Sequence, residues 1–104
     1  MDSVYGDLLK KLYFMAEDEG IQIFDIELPH PKAASLRNER IIGLDRRKIG
    51  SIADECYCVA HELGHFFEDA FYFAGSSLFT KTECEMKADG WAARAIIDLL
   101  GKEG

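Results

Sequence analysis

The sequence predicts an α+β fold: a small antiparallel or mixed sheet packed against about three helices. Three observations carry that expectation. Apolar residues recur at helical spacing in an amino-terminal segment and in two longer carboxy-terminal segments, and between the first and second of these the period shortens toward that of strands. No internal repeat, low-complexity tract or Pro/Gly/Ser linker divides the 104 residues, a length that suits a single domain over residues 1–104. At 48% apolar and 12% aromatic residues, the chain can bury one core.

From about Ser3 to Glu19, Val4, Leu8, Leu12 and Met15 share a helical face, and Gly20 supplies a stop. Ile21 to Leu28 places Ile21, Ile23, Ile26 and Leu28 in imperfect alternation with polar residues, which reads as a half-buried strand. A second strand is expected at Arg40 to Leu44. The stretch between them, with His30, Pro31, Ser35 and Asn38, reads as loop with room for a short third strand. From Ser51 the period becomes helical through Ile52, Cys56, Val59 and Leu63, with Ser51 and Asp54 or Glu55 as a capping signal, and this helix should reach about Asp69. Thr80 with Glu83 suggests a capping box opening a last helix through about Leu100. Its buried face would be Ala88, Trp91, Ala92, Ala95, Ile96 and Leu99.

Charge and cysteine usage exclude several function classes. A net charge of −7 argues against a general nucleic-acid binder, which needs clustered Lys and Arg, and the dense basic run Arg46-Arg47-Lys48 reads as a solvated loop. Acidic and basic residues scattered through the first thirty positions leave no apolar signal segment, and no run approaches the ~20 apolar residues of a membrane span. The expectation is a cytoplasmic protein with no membrane association. Cys56, Cys58 and Cys84 are odd in number and lack CxxC spacing, which fits reduced thiols. On a helix, Cys56 and Cys58 would project about 200° apart and could not share one ion.

The decisive residues are His61-Glu62-Leu63-Gly64-His65 on the second main helix. Positions four apart lie only about 40° apart around a helix and one turn along it, so both imidazoles can reach a single ion. Glu62 is offset from that pair, in a position to take a proton from a water on the metal. Gly64 lets another backbone or a substrate come close, at a cost of roughly 1 kcal/mol in helix propensity. Two ordinary histidines on an ordinary helix remain the plain alternative. A zinc ion held by two histidines and a water takes one more protein ligand, and Glu83-Cys84-Glu85-Met86-Lys87-Ala88-Asp89 offers a carboxylate from a following helix. Glu85 is preferred, because Asp89 one turn on could accept the free N–H of a ligand histidine. Glu83 belongs to the helix cap. Ala88 and Ala92, on the side of Glu85, would let the two helices approach.

These residues resemble the ImmA/IrrE-type metallopeptidases, small gluzincin-like domains of phages, mobile elements and bacterial stress regulators. The resemblance runs through Val59-Ala60-His61-Glu62-Leu63-Gly64-His65, against the family's ALAHELGH. It continues through Glu85-Met86-Lys87-Ala88-Asp89-Gly90-Trp91-Ala92-Ala93, against its ExxANxFAxxLL. It implies a minimal zincin-like core, His61, His65 and Glu85 as zinc ligands and Glu62 as catalytic base. Asp89 stands where the family often has Asn, and Trp91 where it usually has Phe. The helix-turn-helix or further region that relatives often carry does not fit within this sequence.

Other residues are read more plainly. His30 in its loop could add a ligand but is expected to be solvated. Tyr57 and Tyr72 flank the motif helix and could donate to a developing oxyanion. Phe66, Phe67, Phe71, Tyr72, Phe73 and Phe79 could line a substrate groove, although aromatics near two helix ends are usually core. Cys84 reads as a small apolar filler rather than a redox handle. Together these point to a zinc metalloendopeptidase acting on a protein, with a repressor-like regulator as first candidate and Arg40 to Leu44 as an edge strand that could pair with an extended peptide. The alternatives are a metal-binding module that holds a regulator or toxin partner without cutting it, and a zinc-stabilised structural domain.

Overall fold

A computed structural model describes residues 3–101, and the outermost positions of the chain lie outside them. It has helix α1 (Ser3–Asp18), strands β1 (Gln22–Asp25), β2 (Ala33–Leu36) and β3 (Ile41–Leu44), a 3-10 turn at Arg46–Lys48, and helices α2 (Ile52–Phe67) and α3 (Leu78–Gly101). The fold is therefore α+β, with three helices and a mixed three-stranded sheet. The strand order is β1-β3-β2, with β1 parallel and β2 antiparallel to β3. This corrects the expectation that Arg40 to Leu44 offers a sheet edge: β3 is paired on both sides, and the edges belong to β1 and β2. Parallel pairing of β1 with β3 needs a crossover, and the chain spends it on the β2 excursion.

Helix α2 is the hub. It packs on α3, on α1 and on β2 and β3, and the buried cluster gathers Leu8 and Leu12 of α1, Ile42 and Leu44 of β3, Val59 and Leu63 of α2, and Ala92 of α3. Helix α1 turns its Leu8 and Leu12 inward as expected, whereas Val4 is exposed. Strand β1 is shorter than the alternating run from Ile21 to Leu28. Ile26 N–H still donates to Leu44 O at 2.9 Å, but Leu28 N–H donates to the Asp45 carboxylate at 3.0 Å and so leaves the ladder. Burial along this stretch is uneven: Ile21 is in the core, while Phe24 and Ile26 are exposed.

Ser51 caps α2 by accepting from Asp54 N–H at 3.0 Å. At α3 the cap is Ser77, whose Oγ accepts from Thr80 N–H at 3.1 Å, so the helix starts two residues before the expected Thr80 and Glu83 box. The basic run is less a solvated loop than a clamp. Arg46 pairs with Glu55 at 2.7 Å, Arg47 with Glu27 at 2.6 Å and Asp45 at 2.8 Å, and Lys48 with Asp45 at 3.4 Å. Asp45 is buried, and the Arg47 guanidinium together with the Leu28 N–H holds its carboxyl well below the usual range. All three cysteines are free, and burial pushes the Cys56 and Cys58 thiols up to about 11, away from reactivity. Among the described residues, no helix is long and apolar enough to cross a membrane.

The α2–α3 contact is made backbone to side-chain-free backbone. A Cβ at Gly64 would lie 2.5 Å from Ala88 O and 2.9 Å from Ala88 Cα, atoms that cannot rotate away. Gly64→Ala is expected to force the helices apart. Overpacking costs about 1–3 kcal/mol and the gain in helix propensity returns about 1, so against immovable backbone atoms the net is a loss of up to about 2 kcal/mol. Denaturant unfolding of the two proteins measures it, and equal stability would mean that the contact yields.

Candidate metal centre

Helix α2 carries His61, Glu62 and His65, and α3 carries Glu85 and Asp89. Because α2 and α3 touch at Gly64 and Ala88, the side chains within one turn of that contact meet across the seam. His61 Nε2 lies 2.7 Å from Glu85 Oε1, and His65 Nε2 lies 3.4 Å from the same oxygen. His61, His65 and Glu85 each offer a ligand atom, all within 4.8 Å of one another, so the group could hold a metal ion. Glu83 is exposed and takes no part in it.

Each of the three is also tied by an atom turned away from that meeting point. His61 Nδ1 lies 2.7 Å from Asp89 Oδ1, the relation expected from their spacing, and Asp89 also accepts from the Tyr57 hydroxyl. His65 Nδ1 lies 2.6 Å from Ala70 O, just beyond the end of α2. Glu85 Oε2 accepts from the Tyr72 hydroxyl. Each imidazole thus has an acceptor at its Nδ1, Asp89 or Ala70 O, which leaves Nε2 as the atom it would offer to an ion at the centre.

The electrostatics follow from this packing. Burial lowers the His61 pKa, but Glu85, Glu62 and Asp89 outweigh it and the net shift is upward. Burial raises Glu85, yet the Tyr72 hydroxyl and the two histidines carry it below its ordinary value. Asp89 is lowered, first by the Tyr57 hydroxyl and then by His61. The accepting carboxylates push Tyr57 and Tyr72 up to about 12 each. Glu62 moves the other way. It is 7% exposed, and burial raises its pKa against the pull of His65, His61 and a hydrogen bond from Ser35. A carboxylate shifted upward is a stronger base.

Glu62 lies on the wall of a cavity of about 430 Å³ that also takes in His61, His65, Glu85, Tyr72, Phe71 and residues Pro31 and Ala33 to Ser35. The short third strand for which the sequence leaves room is β2, but its place on the cavity wall and the contact of Ser35 with Glu62 are not foreshadowed, since Ala-Ala-Ser-Leu lacks the β-branched and aromatic residues that announce a strand. His30 is exposed and does not line the cavity. The aromatic cluster divides. Phe66 packs on the core, Phe67 stacks on Trp91 with centroids 4.8 Å apart, Phe71 and Tyr72 face the cavity, and Phe73 and Phe79 are exposed, so neither the groove reading nor the core reading holds for the whole cluster. Cys84 is half-buried, with its thiol 3.6 Å from Phe71 O.

Comparison with known protein families, curated proteins and solved structures finds no match for the chain. The residues of the centre therefore carry the functional argument themselves.

Asp89→Ala removes the partner of His61 Nδ1. Zinc affinity is expected to fall by roughly ten- to a hundredfold, the usual cost of losing such a support. Titration of both proteins at matched pH, with the fold checked by circular dichroism, measures the drop, and an unchanged affinity would make Asp89 a mere surface residue.

Proposed function

We propose that this protein is a zinc-dependent metalloendopeptidase, with His61, His65 and Glu85 as metal ligands and Glu62 as general base, on a minimal zincin-like core. The observation that carries the reading is the placing of Glu62: a buried carboxylate, raised in pKa, on the cavity wall beside the three-ligand group. A purely structural zinc site has no use for such a base and normally takes four protein ligands. The donor set suits zinc. An ion ~2.1 Å from each tetrahedral ligand spaces the ligand atoms by roughly 3.4 Å. The 3.4 Å from Glu85 Oε1 to His65 Nε2 matches that, and the 2.7 Å to His61 Nε2 is a hydrogen-bond distance that an ion would open.

Zinc bound there would supply Lewis acidity, polarising the scissile carbonyl and lowering the pKa of the attacking water. Glu62 takes the proton from that water as its oxygen attacks the carbonyl carbon, and returns it to the amide nitrogen as the C–N bond breaks. Asp89 and Ala70 O hold the imidazoles in register. The peptide is bound along β2, the sheet edge on the cavity. Asp45 N–H donates to Lys32 O, so by the alternation of an antiparallel ladder Ala34 and Leu36 also turn their backbone groups toward β3. Ala33 and Ser35 turn theirs toward the open edge, where an extended substrate can pair. The resemblance to the ImmA/IrrE-type enzymes supports a cytoplasmic protein substrate, a repressor-like regulator first among candidates.

The test is metal analysis of the purified protein combined with incubation against the product of a neighbouring regulator gene. About one zinc per chain is expected, with cleavage that stops on chelation and returns with zinc. Stable binding of the regulator without cleavage, at full zinc loading, would favour the non-proteolytic binding module instead.

A further inference from the structure

The hydrogen bonds around Glu85 treat its two oxygens differently. Oε1 faces both imidazoles, 2.7 Å from His61 Nε2 and 3.4 Å from His65 Nε2, whereas Oε2 accepts a hydrogen bond of 2.5 Å from the Tyr72 hydroxyl. Tyr72 stands in the connector between α2 and α3, is 41% exposed and lines the cavity. Tyr57, Asp89 and Ala70, which tie the histidines, do not line it. Of the groups that hold the ligands from behind, Tyr72 is thus the one a substrate reaches.

A carboxylate can bind a divalent ion through one oxygen or through both. With two histidines and a water bound, one oxygen makes the site four-coordinate, and the second oxygen would take the fifth position, into which such a site expands when a substrate binds. A hydroxyl donating to Oε2 occupies that oxygen and draws its charge away from the centre. We propose that Tyr72 is a positioning residue that restricts Glu85 to single-oxygen ligation and so keeps the fifth coordination position open for the substrate carbonyl. This inference rests on the metal-centre reading above. It also accounts for the two oxygens lying in such different surroundings, which ligand spacing alone does not require.

The deciding measurement is the visible spectrum of the cobalt(II)-loaded protein, because four-coordinate cobalt absorbs several times more strongly than five- or six-coordinate cobalt. Wild type is expected to give the intense four-coordinate bands. Tyr72→Phe keeps the ring and loses only the hydroxyl, and its bands are expected to weaken severalfold as Glu85 Oε2 joins the ion, with the fold unchanged by circular dichroism. Tyr57→Phe serves as control: it frees Asp89 rather than Glu85 and should keep the four-coordinate spectrum. A Tyr72→Phe spectrum identical to wild type overturns the proposal, and so does an equal loss of intensity in both variants, which would mark a general loosening. If wild type takes up neither cobalt nor zinc, the metal centre itself falls and this inference with it. Cobalt uptake with an unaltered Tyr72→Phe spectrum removes the role of Tyr72 alone.

Discussion

Replacing Glu62 by glutamine is expected to leave fold and zinc content in place and to lower peptide hydrolysis by about 10²–10⁴-fold, the usual contribution of a positioned general base. Glutamine matches glutamate in shape, so the packing that leaves this side chain 7% exposed is kept, and the Ser35 hydroxyl still finds an acceptor. What disappears is basicity. The environment of Glu62 is set to strengthen that property, since burial lifts its pKa even with two histidines nearby to pull it down. Initial rates and zinc content of the two purified proteins, measured on the same preparation, decide the matter. Undiminished cleavage by a fully zinc-loaded Glu62→Gln protein would rule out the proposed proton transfers.

His65→Ala is expected to abolish tight metal binding, with stoichiometry falling from about one zinc per chain toward zero. Two remaining side chains do not make the three-ligand set of a catalytic zinc site. His65 is also the most enclosed of the three, 5% exposed and anchored through Nδ1 to Ala70 O, so its truncation leaves a void as well as a missing ligand. The two effects separate by a linkage measurement. A ligand that binds only the folded state raises the thermal midpoint as its concentration rises, by RT ln(1 + [L]/Kd) in free energy. Wild type should therefore melt higher with zinc than with chelator, and His65→Ala should melt at one temperature in both. A zinc-dependent midpoint that survives in the variant would show that the ligands lie elsewhere.

Most of the centre was legible in the sequence because its signals are local. Four-residue spacing on α2 fixes the relation of His61 and His65, four-residue spacing on α3 fixes that of Glu85 and Asp89, and small residues at 64 and 88 announce that the helices can meet. The outcome for Asp89, 2.7 Å from His61 Nδ1, follows from that spacing. What escaped depends on contacts distant in sequence. The sequence leaves room for a short third strand between residues 28 and 40, but nothing around residues 33–36 reveals that it pairs with β3, which takes β3 from the sheet edge to its centre and gives the cavity its β2 wall. Nor does spacing distinguish Tyr57 from Tyr72, both weighed as oxyanion donors. One stands on Asp89 and the other on Glu85, because the connector after α2 folds back toward the centre. The capping error at α3 has a simpler cause: Ser77 and Thr80 are both acceptable caps, and the earlier one wins because the helix can then gain a turn.

The meeting of Gly64 with Ala88 separates two kinds of tolerance. Where helices rest on large interdigitating side chains, any change in those side chains alters the interval between them. Here the interval is gauged by main-chain atoms in contact, 2.5 Å from where a Cβ would stand, and the donor atoms hang within one turn of that stop. Trimming of remote core residues such as Leu12 or Ile42 would cost stability while leaving the spacing of His61, His65 and Glu85 untouched. That spacing is protected from drift in most of the interior and exposed to it at two small residues.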